Sequence, residues 1–187
     1  MANVESEHSA ESEAQPASVW ERYTDVEQWH EWSKGVEESS LEGEFEAGST
    51  GISKAPNLPK VRFELVEVEP ERRFVSKAKL PGGTLILEHM IEPTNGGTRI
   101  THRARLGGPL RSLWRPVIGR IIDRELPPGV ERLAELAAEK EQEARKEAAE
   151  EEERQAKLKE ADDQFKEEIE KTSHGDEDRG GASLPGA

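Results

Sequence analysis

Three histidines, His8, His89 and His102, occupy segments whose residues alternate in the manner of β-strands. His89 lies two residues after Leu87, and His102 lies two residues after Ile100. Because side chains two apart in a strand point to the same face, the last two imidazoles are expected on the apolar side of their strands. An imidazole there can bind a metal ion, transfer a proton or form a hydrogen bond with a polar ligand.

A hairpin is predicted to bring two of these histidines together. Asn95-Gly96 separates two alternating segments, and this dipeptide is a strong signal for a tight β-turn. If Ile91 pairs with Ile100, His89 lies directly opposite His102, about 5 Å apart at Cβ. A shift by one residue would set the apolar face of one strand against the polar face of the other, so that alternative is disfavoured.

The absence of other reactive residues and motifs limits the kinds of chemistry that the chain could perform. The chain has no cysteine, which excludes thiolate nucleophiles, disulfides and cysteine metal sites. No carboxylate is in phase with the histidines and no two histidines are closely spaced, so no metal site is expected. No Gly-x-Ser-x-Gly motif occurs. The histidines are therefore interpreted either as polar groups of a cavity wall or as an acid and a base; no catalytic residue is assigned and no cofactor is expected.

The elements that must position these residues follow from hydrophobic periodicity and turn residues. Seven segments alternate as strands, and the short connections between the last six predict an antiparallel meander. These strands are 4–14, 36–41, 48–54, 61–65, 73–80, 84–92 and 98–106. Two short helices, at 17–23 and 26–32, separate the first strand from the others.

One long helix is predicted over residues 109–137. Its apolar residues recur every three or four positions, from Leu110 to Leu133, and form the most apolar stripe of the chain. At about 1.5–3 kcal/mol per large side chain, burial of this stripe requires a partner surface of similar size, which the sheet provides. Pro127-Pro128-Gly129 predicts a kink or a restart within the helix.

Composition limits the classes of partner. The net charge is −14, and 33% of the residues are hydrophobic while 35% are charged. An acidic protein repels phosphate backbones and anionic lipids, so neither nucleic-acid binding nor docking on anionic lipid is expected. The chain starts without a basic and apolar leader and has no run of membrane-spanning length, so a cytoplasmic protein without membrane insertion is expected.

The charged segment after the long helix is predicted to lie outside the globular domain. Residues 1–138 form the domain, 139–171 form a solvent-exposed helical extension, and 172–187 form a disordered tail. Oppositely charged residues four apart, such as Glu153 and Lys157, support the helix of the extension. Two interpretations stay open for it: a solvated helix, or an arm through which a protein partner binds.

Several motifs resemble the SRPBCC superfamily, which includes START-like lipid-transfer domains and polyketide cyclase/dehydrase-like proteins. They are AQPASVW at 14–20, DVEQWHEW at 25–32, LEH at 87–89, IEP at 91–93, GTRITH at 97–102 and GGPL at 107–110. The resemblance covers about residues 3–137 and points to the bacterial polyketide-cyclase-like branch. It implies an α+β, helix-grip fold, in which a seven-stranded curved antiparallel sheet surrounds a long C-terminal helix and two short helices complete the domain.

This fold implies a cavity between the sheet and the helix for a small lipophilic molecule. In the helix-grip order the first strand flanks the last, so His8 joins the other two histidines. The ligand-binding residues expected from this arrangement are His8, Trp32, Phe63, Leu65, Phe74, Leu87, His89, His102, Trp114 and Ile118.

Three functions are consistent with these expectations. The first is binding or carrying of a small hydrophobic or aromatic molecule, such as a lipid, a quinone or a polyketide-like compound. The second is an enzyme of the cyclase, aromatase or dehydratase kind that uses His89 and His102 as acid and base. The third is a protein-interaction module that binds its partner through residues 139–171.

Overall fold

The computed structural model describes residues 6–174, with side chains described up to residue 167. Its strands are β1 (Ser6–Ser12), β2 (Glu38–Glu42), β3 (Thr50–Lys54), β4 (Val61–Glu69), β5 (Arg73–Leu80), β6 (Gly83–Thr94) and β7 (Gly97–Gly107). Its helices are α1 (Pro16–Thr24), α2 (Trp29–Trp32), α3 (Arg111–Trp114) and α4 (Arg120–His174), with a 3₁₀ turn at Val26–Gln28 and a π-helical segment at Arg115–Gly119. The predicted order of the elements is confirmed.

The seven strands form one antiparallel sheet in the order β1-β7-β6-β5-β4-β3-β2. Consecutive strands from β2 to β7 are neighbours, and β1 lies at the far edge, where it pairs with β7. This curved sheet with its long C-terminal helix is the helix-grip fold, so the predicted α+β class is confirmed. The predicted register is also confirmed, because Ile91 pairs with Ile100 and His89 pairs with His102.

The outer face of the sheet contains a buried carboxylate. Glu88 on β6 is only 7% exposed, although its position in the strand predicts a solvated side chain. Arg73, Arg103 and Arg105 surround the carboxylate, and Arg105 donates to it at 2.8 Å. These arginines compensate for its loss of hydration and at the same time cover it from solvent.

The C-terminal helix contains a π-helical turn near its start and continues as a helix through its two adjacent prolines. It remains helical through Pro127 and Pro128, so the predicted alternative of a restart at 127–129 does not occur. The wider π-helical turn lies at Arg115–Gly119 and contains Pro116, which has no backbone N–H to donate. From Arg120 onward the helix is uninterrupted.

Only the later part of the predicted apolar stripe is buried. Val130 and Leu133 on α4 are fully buried in the core. In contrast, Leu110, Leu113 and Val117 are 46%, 67% and 47% exposed. The expectation that the stripe is buried from its first residue is therefore wrong. The reason is that α3 packs at the ends of β6 and β7, where the chain leaves the sheet, and not over the sheet's inner face.

Contacts along the chain divide it into two units, Met1–Gln142 and Glu143–Ala187. In the second unit α4 continues to His174, beyond the predicted end of the extension at residue 171. A predicted ion pair is present there, with Lys157 Nζ 2.6 Å from Glu153. Residues 4 and 5 of the predicted first strand and 175–187 of the predicted tail lie outside the described residues. Among the helices described, none is long and apolar enough to cross a membrane.

Candidate functional site

A cavity of about 210 Å³ lies between the inner face of the sheet and the C-terminal helix. Its walls are predominantly apolar, and helix residues from Ile118 to Gly129 face strands β3 to β7 across it. An apolar protein cavity of about 150 Å³ admits benzene, so this cavity has room for a group of one or two rings. A longer molecule would have to leave part of itself outside or displace the helix.

A row of four aromatic rings crosses the sheet beside this cavity. Strand pairing places His8, His102, His89 and Phe74 next to one another on β1, β7, β6 and β5. The ring of His89 stacks on Phe74 with 4.1 Å between centroids. It meets the ring of His102 edge-on at 4.4 Å. Because antiparallel pairing fixes which residues stand opposite one another, the row is a direct consequence of the sheet register.

A tyrosine from α1 completes the polar part of the site. Tyr23 Oη lies 2.8 Å from His102 Nε2, and the two form a hydrogen bond whose donor depends on the histidine tautomer. Tyr23 is fully buried, and burial raises its pKa well above the usual value near 10. Burial, followed by the charges of His89 and His8, lowers the pKa of His102 well below 6.5. Both groups are therefore neutral at physiological pH.

Two buried nitrogen atoms beside the cavity have no hydrogen-bond partner within the described part of the chain. They are Nδ1 of His89 and Nε1 of Trp32. The comparable indole of Trp29 does have a partner, since its Nε1 donates to the Tyr23 carbonyl at 2.9 Å. Burial also lowers the pKa of His89 to about 3, so that imidazole is neutral at pH 7. An unpaired buried polar group is destabilising, and a ligand atom could supply the missing partner.

The residues expected to bind a ligand divide into two groups in the structure. Those that line the cavity are Trp32, Phe63, Leu87, His89, His102 and Ile118. Those that do not line it are His8, Leu65, Phe74 and Trp114.

Each residue of the second group has a specific alternative environment. Leu65 and Phe74 are fully buried in the core, with Phe74 behind His89. His8 is partly exposed at the sheet edge, where its Nε2 lies 3.4 Å from Glu131. Trp114 lies on α3 and donates from Nε1 to the Pro81 carbonyl at 2.9 Å. Trp114 therefore packs on the β5–β6 turn and not over the cavity.

Sequence reasoning missed several residues of the site, and Tyr23 is the most important of them. Its spacing from Val19 and Trp20 indicates only a helix with a buried face. Its bond to His102 joins positions 79 residues apart, and no local pattern encodes that contact. Further aliphatic lining residues come from the segment before β2, the β3–β4 loop, β4, β5, β6 and the helix: Val36, Ala55, Leu58, Val61, Ala78, Leu80, Leu85, Ile121, Ile122 and Leu126.

The histidines are not accompanied by carboxylates that would complete a metal site. In the region that the structure describes, no group of three or more His, Asp or Glu side chains is arranged to hold a metal ion. Glu131 reaches only His8, at the sheet edge. The arrangement instead suits hydrogen bonding to a polar group on an otherwise apolar ligand.

Solved structures with a similar fold come from several bacteria. Protein NE0264 from Nitrosomonas europaea has 18% identity and a TM-score of 0.57, over 73% of this chain and 95% of that chain. TTHA0849 from Thermus thermophilus has 18% identity and a TM-score of 0.56, over 70% and 94%. The di-domain ARO/CYC StfQ from the steffimycin biosynthetic pathway has 16% identity and a TM-score of 0.56, over 73% and 51%. At such identities the similarity shows the fold alone.

No curated protein matches this chain. A family profile does: the family described as "Polyketide cyclase / dehydrase and lipid transport" matches residues 3–138. The match includes the whole sheet, both short helices and the part of α4 that lines the cavity. It confirms the resemblance read from the motifs, so the chain belongs to the polyketide cyclase / dehydrase and lipid transport family, which is of the SRPBCC type.

Proposed function

We propose that the domain binds a small, largely apolar molecule that carries one polar group. The observation that supports this proposal is a pair of nitrogens, Trp32 Nε1 and His89 Nδ1, that have no hydrogen-bond partner among the described residues and belong to side chains lining an otherwise apolar cavity. A ligand oxygen with one hydrogen would accept from the indole N–H and donate to an unprotonated imidazole nitrogen. Leaving a buried polar group unpaired costs about 1–3 kcal/mol, so the site favours such a ligand over a pure hydrocarbon.

The size of the cavity restricts the part of the ligand that is enclosed. At about 210 Å³ it accommodates one or two rings, or a short branched chain, but not a complete long-chain lipid. The polar end is directed towards the histidines, and any longer apolar portion leaves between the helix and the β3–β4 loop. Aromatic, quinone-like and polyketide-like compounds fit this description.

Binding is favoured over acid–base catalysis by the protonation state of the histidines. General acid–base catalysis works best when the pKa of the group lies near the working pH. Burial lowers the pKa of His89 to about 3, so the imidazole is a weak base at pH 7. The hydrogen-bonded pair of Tyr23 and His102 is the observation that favours an enzyme of the cyclase or dehydratase kind as the second candidate.

The proposal is tested with two probes of nearly equal size, 2-naphthol and naphthalene. We expect 2-naphthol to bind more tightly, as measured by tryptophan fluorescence and native mass spectrometry. Trp32→Phe and His89→Phe should each weaken the affinity for 2-naphthol by about fivefold to tenfold, because each variant removes one hydrogen bond to the ligand. The affinity for naphthalene should stay nearly unchanged. Ala78→Phe should abolish binding of both, since Ala78 lines the cavity.

The matched control is Trp20→Phe, because Trp20 is partly buried against Phe45 at 5.6 Å and does not line the cavity. Equal affinities for the two probes, or equal losses in Trp20→Phe and Trp32→Phe, would contradict the polar anchor. Conversion of an aromatic polyketide precursor that stops in Tyr23→Phe, while binding persists, would instead support the enzymatic candidate.

A further inference from the structure

One exposed surface of the first unit, Met1–Gln142, brings three large apolar side chains together. Leu110, Leu113 and Val117 lie within eight residues and are 46%, 67% and 47% exposed. Among the described residues, Val66, Leu158 and Phe165 are the other large apolar side chains that are comparably exposed; Val66 stands alone on β4, and Leu158 and Phe165 lie in the second unit, on the charged helical extension. We call residues 79–83 together with 109–122 the rim surface. Scattered exposed apolar residues are ordinary, whereas a cluster of them indicates a binding surface.

The rim surface is continuous because the helix start is attached to the β5–β6 turn. The Leu110 amide donates to the Gly82 carbonyl at 2.9 Å. Trp114 Nε1 donates to the Pro81 carbonyl at the same distance. These two bonds hold α3 and the turn side by side, so their exposed residues form one face.

The charge of the rim surface is opposite to that of the whole protein. Within its ranges it contains Lys79, Arg111, Arg115 and Arg120 and no acidic residue, and one carboxylate, Asp123, adjoins its edge beside Arg115 and Arg120. The whole chain has 26 basic and 40 acidic residues, so removing these four basic residues leaves 22 against 40, or −18 compared with −14. Charges farther away than about 8 Å are largely screened at physiological salt, so a surface in contact responds to the local cations and not to the net charge.

The rim surface also adjoins the ligand cavity. Ile118, Ile121 and Ile122 belong to the same stretch of helix and line the cavity. Between α3 and α4 lies the π-helical segment Arg115–Gly119, a geometry that interrupts the regular helical hydrogen bonding. The exposed apolar residues therefore stand next to the helical residues that line the cavity.

We propose that the rim surface docks on an anionic lipid membrane, with the exposed apolar side chains among the headgroups and the arginines on lipid phosphates. Exposed leucine and valine interleaved with arginine are the composition of segments that lie in a membrane interface. Pairing with a second copy is disfavoured, because it would bring two cationic surfaces together. The docking itself does not depend on the proposed function. Only its purpose, transfer of the bound ligand between the cavity and the membrane, rests on that proposal.

The test is flotation of the full-length protein with vesicles of phosphatidylcholine alone or of phosphatidylcholine with phosphatidylglycerol. We expect binding to the anionic vesicles, weakened at least tenfold by Leu113→Ser, by Arg111→Gln with Arg120→Gln, or by high salt. Leu158→Ser is the matched control, since Leu158 is 64% exposed against 67% for Leu113 but lies in the second unit. Circular dichroism and 2-naphthol binding without vesicles verify that each variant is folded.

Absence of binding to anionic vesicles at low salt would overturn the inference, as would an equal loss in Leu113→Ser and Leu158→Ser. A change of oligomeric state in Leu113→Ser, with vesicle binding retained, would identify a second copy as the occupant and also overturn it. The two proposals fail separately. Equal affinity of the wild type for 2-naphthol and naphthalene, with vesicle binding intact, would overturn the cavity proposal alone, while absence of vesicle binding with selective 2-naphthol binding intact would overturn the rim-surface proposal alone.

Discussion

His89 combines burial, aromatic stacking and an unused nitrogen in one side chain. It is 6% exposed, it stacks on Phe74, and within residues 6–167 its Nδ1 has no hydrogen-bond partner. A histidine that served only as a core residue would be expected to have both nitrogens satisfied or to be replaced by an apolar ring. This combination suits a side chain whose free nitrogen forms a hydrogen bond with a bound ligand. It also makes the residue a sensitive reporter of pH.

The pH dependence of stability is expected to depend on His89. Its folded pKa is about 3, compared with 6.5 for an ordinary histidine, so between these values the unfolded chain binds a proton that the folded chain does not. The contribution of His89 to the free energy of unfolding is therefore fully present above pH 6.5 and is progressively lost as the pH falls towards 3. From pH 7 to 4.5 this group alone should lower the free energy of unfolding by roughly 2 kcal/mol.

Urea denaturation of the wild type and of His89→Phe at pH 7.0, 6.0, 5.0 and 4.5 measures this contribution. Between pH 7 and 4.5 the free energy of unfolding should fall by roughly 2 kcal/mol less in the variant than in the wild type. His30→Gln serves as control, because His30 is exposed and bonds only to the Glu27 carbonyl. Parallel curves for the wild type and His89→Phe would show that burial does not suppress protonation of this imidazole.

At the scale of the elements, the cavity wall depends on close packing between β3 and β4. Gly51 on β3 stands opposite Phe63 on β4, and the Phe63 ring, which lines the cavity, lies over the glycine. A Cβ atom added at Gly51 would be 2.3 Å from the Ser40 carbonyl oxygen and 2.5 Å from the Phe63 ring. The glycine therefore permits both strand pairing and the position of the ring.

Gly51→Ala is expected to destabilise the protein by about 1–3 kcal/mol, because a backbone oxygen cannot be displaced as a flexible side chain can. It should also weaken 2-naphthol binding, since Phe63 must move. Gly96→Ala is the matched control, as a Cβ atom there meets nothing within 4 Å. Thermal unfolding and a probe titration compare the two variants. If Gly51→Ala lost no more stability than Gly96→Ala, the sheet would be able to accommodate the added methyl group, which would contradict this prediction.

At the scale of the whole molecule, the boundary between the domain and its extension has a structural basis. The sequence predicts the boundary at residue 138, whereas contacts define a unit up to Gln142. The extra residues contact α1: Lys140 Nζ lies 2.6 Å from Glu21, and Glu141 accepts hydrogen bonds from the Gln15 amide and the Ser18 hydroxyl. Gln15 itself provides no side-chain cap for α1, so Glu141 acts as the cap.

We therefore propose that the functional domain ends at Gln142. Truncation after Gln142 should leave the free energy of unfolding within about 0.5 kcal/mol of the full chain, and should preserve 2-naphthol binding. Truncation after Ala138 should cost about 0.5–2 kcal/mol more, because the cap of α1 is lost. Urea denaturation of both fragments and of the full chain measures the difference. If the two fragments were equally stable, Glu141 would not stabilise α1 as a cap, and the prediction would be wrong.

The antiparallel pairing of the consecutive strands β2 to β7 was predictable from the sequence because its determinants are local, whereas the place of β1 beside β7 was expected from the family resemblance. Alternation fixed the face of each residue, and Asn95-Gly96 fixed the hairpin, so the opposition of His89 and His102 followed from the pairing of Ile91 with Ile100. The charged pairs of the extension were likewise predictable, since they depend on a spacing of four residues in one helix.

Other features depended on how distant elements meet. Tyr23 reaches His102 across 79 residues, and whether Trp32 Nε1 finds a partner depends on distant elements, none of which supplies one in the part of the chain that is described. The sequence by itself determined the meander of strands, the register of the β6–β7 hairpin and the existence of the terminal helix, since each follows from periodicity over a few residues. Only the tertiary structure decided which side chains face open space and which stretch of helix stays exposed, because a cavity is the volume that all the surrounding elements together fail to fill.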